Sequence, residues 1–144
     1  MKKKVFIATL VILIGVVYCN FHYQPAHSNT GGPPAGYTGS PADGQTCISC
    51  HGGASAIPQT GWISSNIPGS GYVPGTTYSV TATATQTAVT KFGFQLSPQN
   101  LSGTLLGTLV VTNTTETQLT GVGKYIEHTA AGTAGTNSKS WTFD

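Results

Sequence analysis

From Tyr78 to Thr85 the chain alternates strictly, with Tyr78, Val80, Ala82 and Ala84 on one side and Ser79, Thr81, Thr83 and Thr85 on the other. A period of two sends successive side chains to opposite faces of an extended strand, whereas a helix would scatter these apolar residues around its axis. The segment reads as a half-buried strand with one apolar and one hydroxyl-rich face. Phe92, Phe94 and Leu96 repeat the pattern, with Gly93 and Gln95 opposite. Residues 104–111, 115–119, 124–129 and 139–143 are further candidates, each bounded by Gly, Asn or Pro. Several short strands separated by turn signals, with no helical periodicity and no internal repeat, predict an all-β antiparallel sandwich over residues 61–144. Trp62, Phe92, Phe94, Trp141 and Phe143 are its expected core.

The first residues obey different rules. Lys2, Lys3 and Lys4 precede a run from Val5 to Tyr18 that is almost free of polar groups. That run has the length of a secretory apolar region and is short for a bilayer-spanning helix. Val17 and Cys19 meet the small-residue requirement for cleavage before Asn20, so residues 1–19 read as a signal peptide, with an uncleaved anchor as the alternative. The expected location is secreted, either periplasmic or at the cell surface. Any membrane attachment would run through this segment alone.

Export changes the charge balance. The chain has no arginine, and three of its six lysines lie in residues 2–4. Lys91, Lys124 and Lys139 then face Asp43, Glu116, Glu127 and Asp144, a balance of −1. No basic surface for a nucleic acid is available. No Ser/His/Asp set and no paired carboxylates can be placed, so hydrolase chemistry has no support.

Residues 20–60 form a leader punctuated by Gly31-Gly32-Pro33-Pro34, Gly36, Gly39, Pro41 and Gly44, which reads as loop with at most one helical turn. Within it stands Cys47-Ile48-Ser49-Cys50-His51. Two cysteines at i and i+3 followed at once by histidine meet the requirement for covalent haem attachment. Both thiols lie on one side of a turn, where they can add across the porphyrin vinyl groups, and the histidine presents its ring to the iron. Cys47 and Cys50 are also the only cysteines beyond the signal. Two other chemistries use a C-x-x-C pair. A thioredoxin-like redox site belongs to a βαβ fold, which this pattern does not make. A zinc site needs four ligands, and no second C-x-x-C or H-x3-H completes it. The expectation is one covalent haem c, held by Cys47 and Cys50 with His51 on the iron.

The other axial ligand follows by elimination. Met1 is the only methionine and leaves with the signal, so His/Met ligation is not open. The remaining histidines are His22, His27 and His128. His128 shares a strand-like run with Ile126 and is the expected second metal ligand. A histidine on such a face also serves as an ordinary hydrogen-bonded core residue. His22 or His27 would have to order the leader, Lys91 and Lys124 are further donors, and a five-coordinate iron is the remaining option. Tyr37 and Tyr72 are candidates to stack near the haem edge. The functional expectation is a monohaem electron-transfer module, with a redox partner protein or a surface electron acceptor as its partner. One alternative is a non-catalytic surface or adhesion module whose cysteines form a local disulfide. Another is a peroxidase-like enzyme or sensor, against which the absence of any arginine argues.

Several runs together carry a family resemblance. They are Gly32-Pro33-Pro34-Ala35-Gly36-Tyr37-Thr38-Gly39-Ser40-Pro41, Thr46-Cys47 through His51-Gly52-Gly53, Phe92-Gly93-Phe94-Gln95-Leu96, Tyr125-Ile126-Glu127-His128-Thr129 and Trp141-Thr142-Phe143. Over roughly residues 31–144 this resembles the bacterial Reeler-like domains called choice-of-anchor V, found in secreted and surface proteins. The resemblance implies an immunoglobulin-like β-sandwich and carries the C-x-x-C-H segment onto Cys47, Cys50 and His51. Such domains continue beyond W-x-F, while this sequence ends at Asp144. The expectation is a sandwich incomplete at its C-terminus, with an open edge able to pair.

Overall fold

The computed structural model describes residues 9–15, 29–51 and 55–144. It is an all-β protein of two three-stranded antiparallel sheets. The strands are β1 (Ile63–Ser65), β2 (Val80–Thr85), β3 (Gln95–Leu96), β4 (Thr117–Thr120), β5 (Tyr125–His128) and β6 (Ser138–Phe143). One sheet has the order β1-β2-β6 and the other β3-β5-β4. Two 3-10 turns, Cys47–Ser49 and Ala131–Thr133, are the helical pieces among the described residues from 29 onward. Residues 9–15 are helical within the expected signal. Among the described residues no helix is long and apolar enough to cross a membrane.

The alternation at residues 78–85 has the consequence its period dictates. Val80, Ala82 and Ala84 point into the core, where they meet Trp141 and Phe143 of the paired strand β6. On the outer face Thr81 meets Thr142 at 3.0 Å and Thr83 meets Ser140 at 2.8 Å, hydroxyl to hydroxyl. The second sheet closes the core with Ile126 and Leu96, joined by Phe92, Phe94 and Leu109. Phe94 lies 4.6 Å from the Trp141 ring and 6.0 Å from that of Phe143, within the range of favourable aromatic pairs. The Trp141 indole N–H donates to the Gly132 carbonyl at 2.8 Å, so its one polar atom is satisfied.

Strand β5 is buried at all four residues, Tyr125, Ile126, Glu127 and His128. A strand with one solvated face cannot show that pattern, so something covers its outer side. The cover is the leader. Glu127 lies opposite Gln95 on one neighbour and Gln118 on the other. Both glutamines donate to its carboxylate, at 2.8 and 3.1 Å. The same two side chains hold the leader backbone. Gln95 Oε1 accepts from the Gly36 and Tyr37 N–H groups at 3.1 and 2.8 Å, and Gln118 Nε2 donates to Gly31 O at 2.7 Å. Gly32, at φ +108°, passes over Glu127 where a Cβ would collide with the carboxylate.

Three expectations need correction. Residues 104–111 are not a strand: Gly107, at φ +100°, interrupts the extended run, and Leu105 makes only an isolated bridge with Gln99. Residues 92–96 contribute only Gln95–Leu96 to a regular ladder, and Lys91 before them bridges Ala134. Trp62 is half-buried outside the core cluster, its carbonyl accepting from Thr83 N at 2.7 Å. Strand β6 is the edge of its sheet, and its outer side is engaged at its C-terminal end. Val110 and Asp144 exchange backbone hydrogen bonds at 2.6 and 3.1 Å, and the Thr112 hydroxyl donates to Thr142 O at 2.8 Å.

Candidate functional site

The C-x-x-C-H segment is wound into the first 3-10 turn. Ser49 N–H bonds to Thr46 O at 3.0 Å, Cys50 N–H to Cys47 O at 3.3 Å, and His51 N–H to Cys47 O at 3.0 Å. Residues three apart eclipse in such a turn, which brings Cys47 and Cys50 to one side. Both thiols are free.

What fixes this turn on the protein lies just before it. The Asp43 carboxylate accepts from the Thr38 hydroxyl at 2.5 Å, the Gln99 amide at 3.0 Å and the Tyr125 hydroxyl at 2.8 Å. Desolvation pushes the Asp43 pKa upward, but these three donors and the nearby Lys124 charge outweigh it and hold the group below its ordinary value. Burial, and then the bond to Asp43, raise the Tyr125 hydroxyl above its usual range, so it stays a donor. Asp43 thus fastens the leader to β5 four residues before Cys47.

A cavity of about 280 Å³ opens beside the turn. Cys47, Cys50 and His51 line it together with His128, Lys91 and Tyr37. Pro33, Phe92 and Phe94 supply apolar wall. Residues far apart in sequence are therefore gathered at one place, because the leader folds back over the sheet that carries His128. Tyr72, the other tyrosine considered, is exposed and lies outside the cavity, and so does Lys124, whose ammonium sits 5.3 Å over the Tyr125 ring. His22 and His27 lie outside the described residues, as does Cys19.

His128 is 6% exposed, and both its ring nitrogens have partners. Nδ1 lies 3.0 Å from the Phe94 N–H and 3.1 Å from the Phe94 carbonyl, and Nε2 lies 3.3 Å from the Asn29 carbonyl. With the proton on Nε2, the ring donates to the Asn29 carbonyl and accepts from the Phe94 N–H, so two of the three contacts are satisfied together. With the proton on Nδ1, it donates to the Phe94 carbonyl, and the Nε2 lone pair then faces the Asn29 oxygen without a hydrogen bond. The second state is the arrangement usual for a metal-bound histidine, whose far nitrogen donates to a backbone carbonyl. Gly93 makes room for this ring, since a Cβ there would stand 2.6 Å from His128 Cε1.

The donor set suits a c-type haem: two thiols on one turn, two imidazoles and an aromatic wall. The porphyrin brings four iron donors of its own, so the protein need supply only one or two. Among the described residues no three His, Cys, Asp or Glu side chains converge as a metal centre by themselves. The cavity, at about 280 Å³, falls just below the ~300–1,000 Å³ common for small-molecule sites, which would leave part of a porphyrin in solvent. The Cys47 residue is exposed overall, yet its thiol lies against the cavity wall, where desolvation raises its pKa above the ordinary value. A raised thiol is the reverse of the lowered one that activates a thioredoxin-type cysteine.

Sequence reasoning did not find the cavity wall formed by Phe92, Gly93 and Phe94, nor Asp43. The glycine between two phenylalanines was the one local signal for the first. Asp43 carries no motif. No family model, no curated protein and no solved structure matches the chain.

Proposed function

We propose that this chain is an exported monohaem c-type cytochrome module, serving electron transfer at the periplasm or cell surface. One observation carries the reading: Cys47, Cys50, His51 and His128 line the same cavity although the last is 77 positions from His51 in sequence. The two free thiols of the turn would hold the haem by thioether bonds, which do not require a deep pocket. His51 and His128 would be the side chains that hold the iron, His128 being buried and braced by the Phe94 backbone with Nε2 against the Asn29 carbonyl. A haem so held supplies a one-electron ferric–ferrous couple. The chain's own part would be to present both thiols and both imidazoles to the group and to line its cavity with Phe92, Phe94 and Tyr37. The two antiparallel sheets over one core support the immunoglobulin-like reading as part of the same proposal.

Expression with a c-type maturation system and a denaturing gel stained for haem tests this. The band should stain, the intact mass should exceed the polypeptide by one haem, and Cys47→Ala with Cys50→Ala should abolish both. A matured chain that is colourless, with the two thiols joined as a disulfide, would favour the surface-module alternative and end the cytochrome reading. His128→Ala should turn low-spin iron high-spin or open it to carbon monoxide. An unchanged spectrum would remove His128 from the iron and leave it as a hydrogen-bonded core histidine.

A further inference from the structure

A cofactor with charges of its own needs counter-charges where it sits, because an unpaired carboxylate in a partly desolvated site is strongly unfavourable. Haem carries two propionate carboxylates. The cavity beside the C-x-x-C-H turn has one cationic side chain, Lys91, and no Asp or Glu in its lining.

The other described lysines are engaged elsewhere. Lys139 pairs with Glu116 at 2.5 Å, and Lys124 sits over the Tyr125 ring. Lys91 makes neither an ion pair nor a cation–π contact among the described residues. Its backbone, in contrast, is held on both sides. Lys91 bridges Ala134, Phe92 N–H donates to Thr133 O at 2.8 Å, and Gly135 N–H donates to Thr90 O at 3.1 Å. Lys91 is an exposed, unpaired cation on a braced backbone among the residues lining a cavity that has no acid, so an anion entering the cavity would find its counter-charge there.

We infer that Lys91 is the counter-ion of a haem propionate and sets the edge of the porphyrin that faces the β2-to-β3 connection. The inference rests on the cytochrome reading above. A role on the iron fits Lys91 less well, because an amine ligates only after losing its proton, whereas a carboxylate takes the ammonium as it stands. Pairing also has an electrostatic consequence. A positive charge beside the haem disfavours the more positive ferric state, so its presence raises the midpoint potential.

The test uses the full chain matured with haem, as wild type, Lys91→Gln, Lys91→Arg and, as a charge control, Lys124→Gln. Two quantities are read: the propionate bending band in the resonance Raman spectrum, and the midpoint potential. Lys91→Gln should shift the band and lower the potential. Lys91→Arg should return both toward wild type, and Lys124→Gln should leave the band where it is. A band unmoved by Lys91→Gln overturns the pairing. So does a change of the iron from low to high spin in that variant, which would put the amine on the metal. A haem-bearing wild type with an indifferent Lys91→Gln defeats the pairing alone. A wild type without haem on the stained gel defeats the cytochrome reading and this inference with it.

Discussion

The two sheets are made by the same alternation and end in opposite situations. On the sheet β1-β2-β6 the outer face is a row of threonine and serine hydroxyls, Thr81 against Thr142 and Thr83 against Ser140, with water as an available substitute partner. On the sheet β3-β5-β4 the outer face is a ladder of Gln95, Glu127 and Gln118, with Glu127 3% exposed under the leader. A solvated polar face needs nothing in particular from its residues. A covered one must satisfy every donor and acceptor from within. The contrast also explains where the candidate site lies. The covered sheet brings residues 29–51 against β5, and the C-x-x-C-H turn arrives beside His128 as a result.

The largest expected effect falls on what the sheets share. Trp141 is 2% exposed and Phe94 packs against it from the opposite sheet. Trp141→Ala removes the ring and orphans the Gly132 carbonyl. It should cost about 3–5 kcal/mol by chemical denaturation, with both sheets lost together. Unfolding of one sheet alone would break the claim that they form one core.

Next comes the covered ladder. Glu127→Ala leaves the Gln95 and Gln118 amides without their shared acceptor beneath the leader. The expected loss is about 1–3 kcal/mol. Amide exchange should accelerate first at Gly36 and Tyr37, whose N–H groups depend on Gln95. Uniform acceleration over both sheets would mean that the leader is not a separable layer.

The fastening at Asp43 responds to pH. Its pKa is lowered in the folded chain, so its contribution is present above the unfolded value of ~3.9 and is lost as pH falls through the folded value. Limited proteolysis of the leader should therefore quicken below about pH 4, and Asp43→Asn should show that faster cleavage already at neutral pH. Cleavage that is equally slow in Asp43→Asn at neutral pH would show that the leader is held by the glutamine ladder alone.

Much of the architecture could be read locally, and most of the site could not. Strand β2 follows from its period, and β6 from Trp141 and Phe143 two apart with the Thr142 hydroxyl between. Residues 104–111 misled because their apolar content suggests a strand, while Gly107 turns the backbone to positive φ in the middle of the run. The 3-10 turn at Cys47 was legible because its chemistry is confined to five consecutive residues. His128 was placed on a strand by its neighbours, but no local feature tells which group its ring meets. The Phe94 and Asn29 contacts depend on β3–β5 register and on the path of the leader, both long-range results of folding. The burial of Glu127 was hidden for the same reason: an acid alternating with Ile126 looks like a solvated residue until its cover is known.

The smallest effect should come from the open sheet, and it is the sharpest check on the comparison. Thr83→Val removes a hydroxyl whose partner, Ser140 Oγ, lies on an exposed face. An intramolecular hydrogen bond replaces bonds to water, so its net worth is only ~0.5–1.5 kcal/mol even before solvent refills the gap. Here Ser140 can bond water at once, and valine favours a strand at least as much as threonine does. The change should fall within about ±0.5 kcal/mol, the ordinary range for surface substitutions. The matched change on the covered sheet, Gln118→Leu, keeps similar bulk but strips donors from both Glu127 and the Gly31 carbonyl. Glu127 is 3% exposed and would keep only Gln95 as a donor, so the penalty should exceed that of Thr83→Val by at least about 1 kcal/mol. Denaturation of the two variants side by side decides the matter. Equal midpoints would mean that water reaches beneath the leader, and the distinction between a covered and an open face would fail.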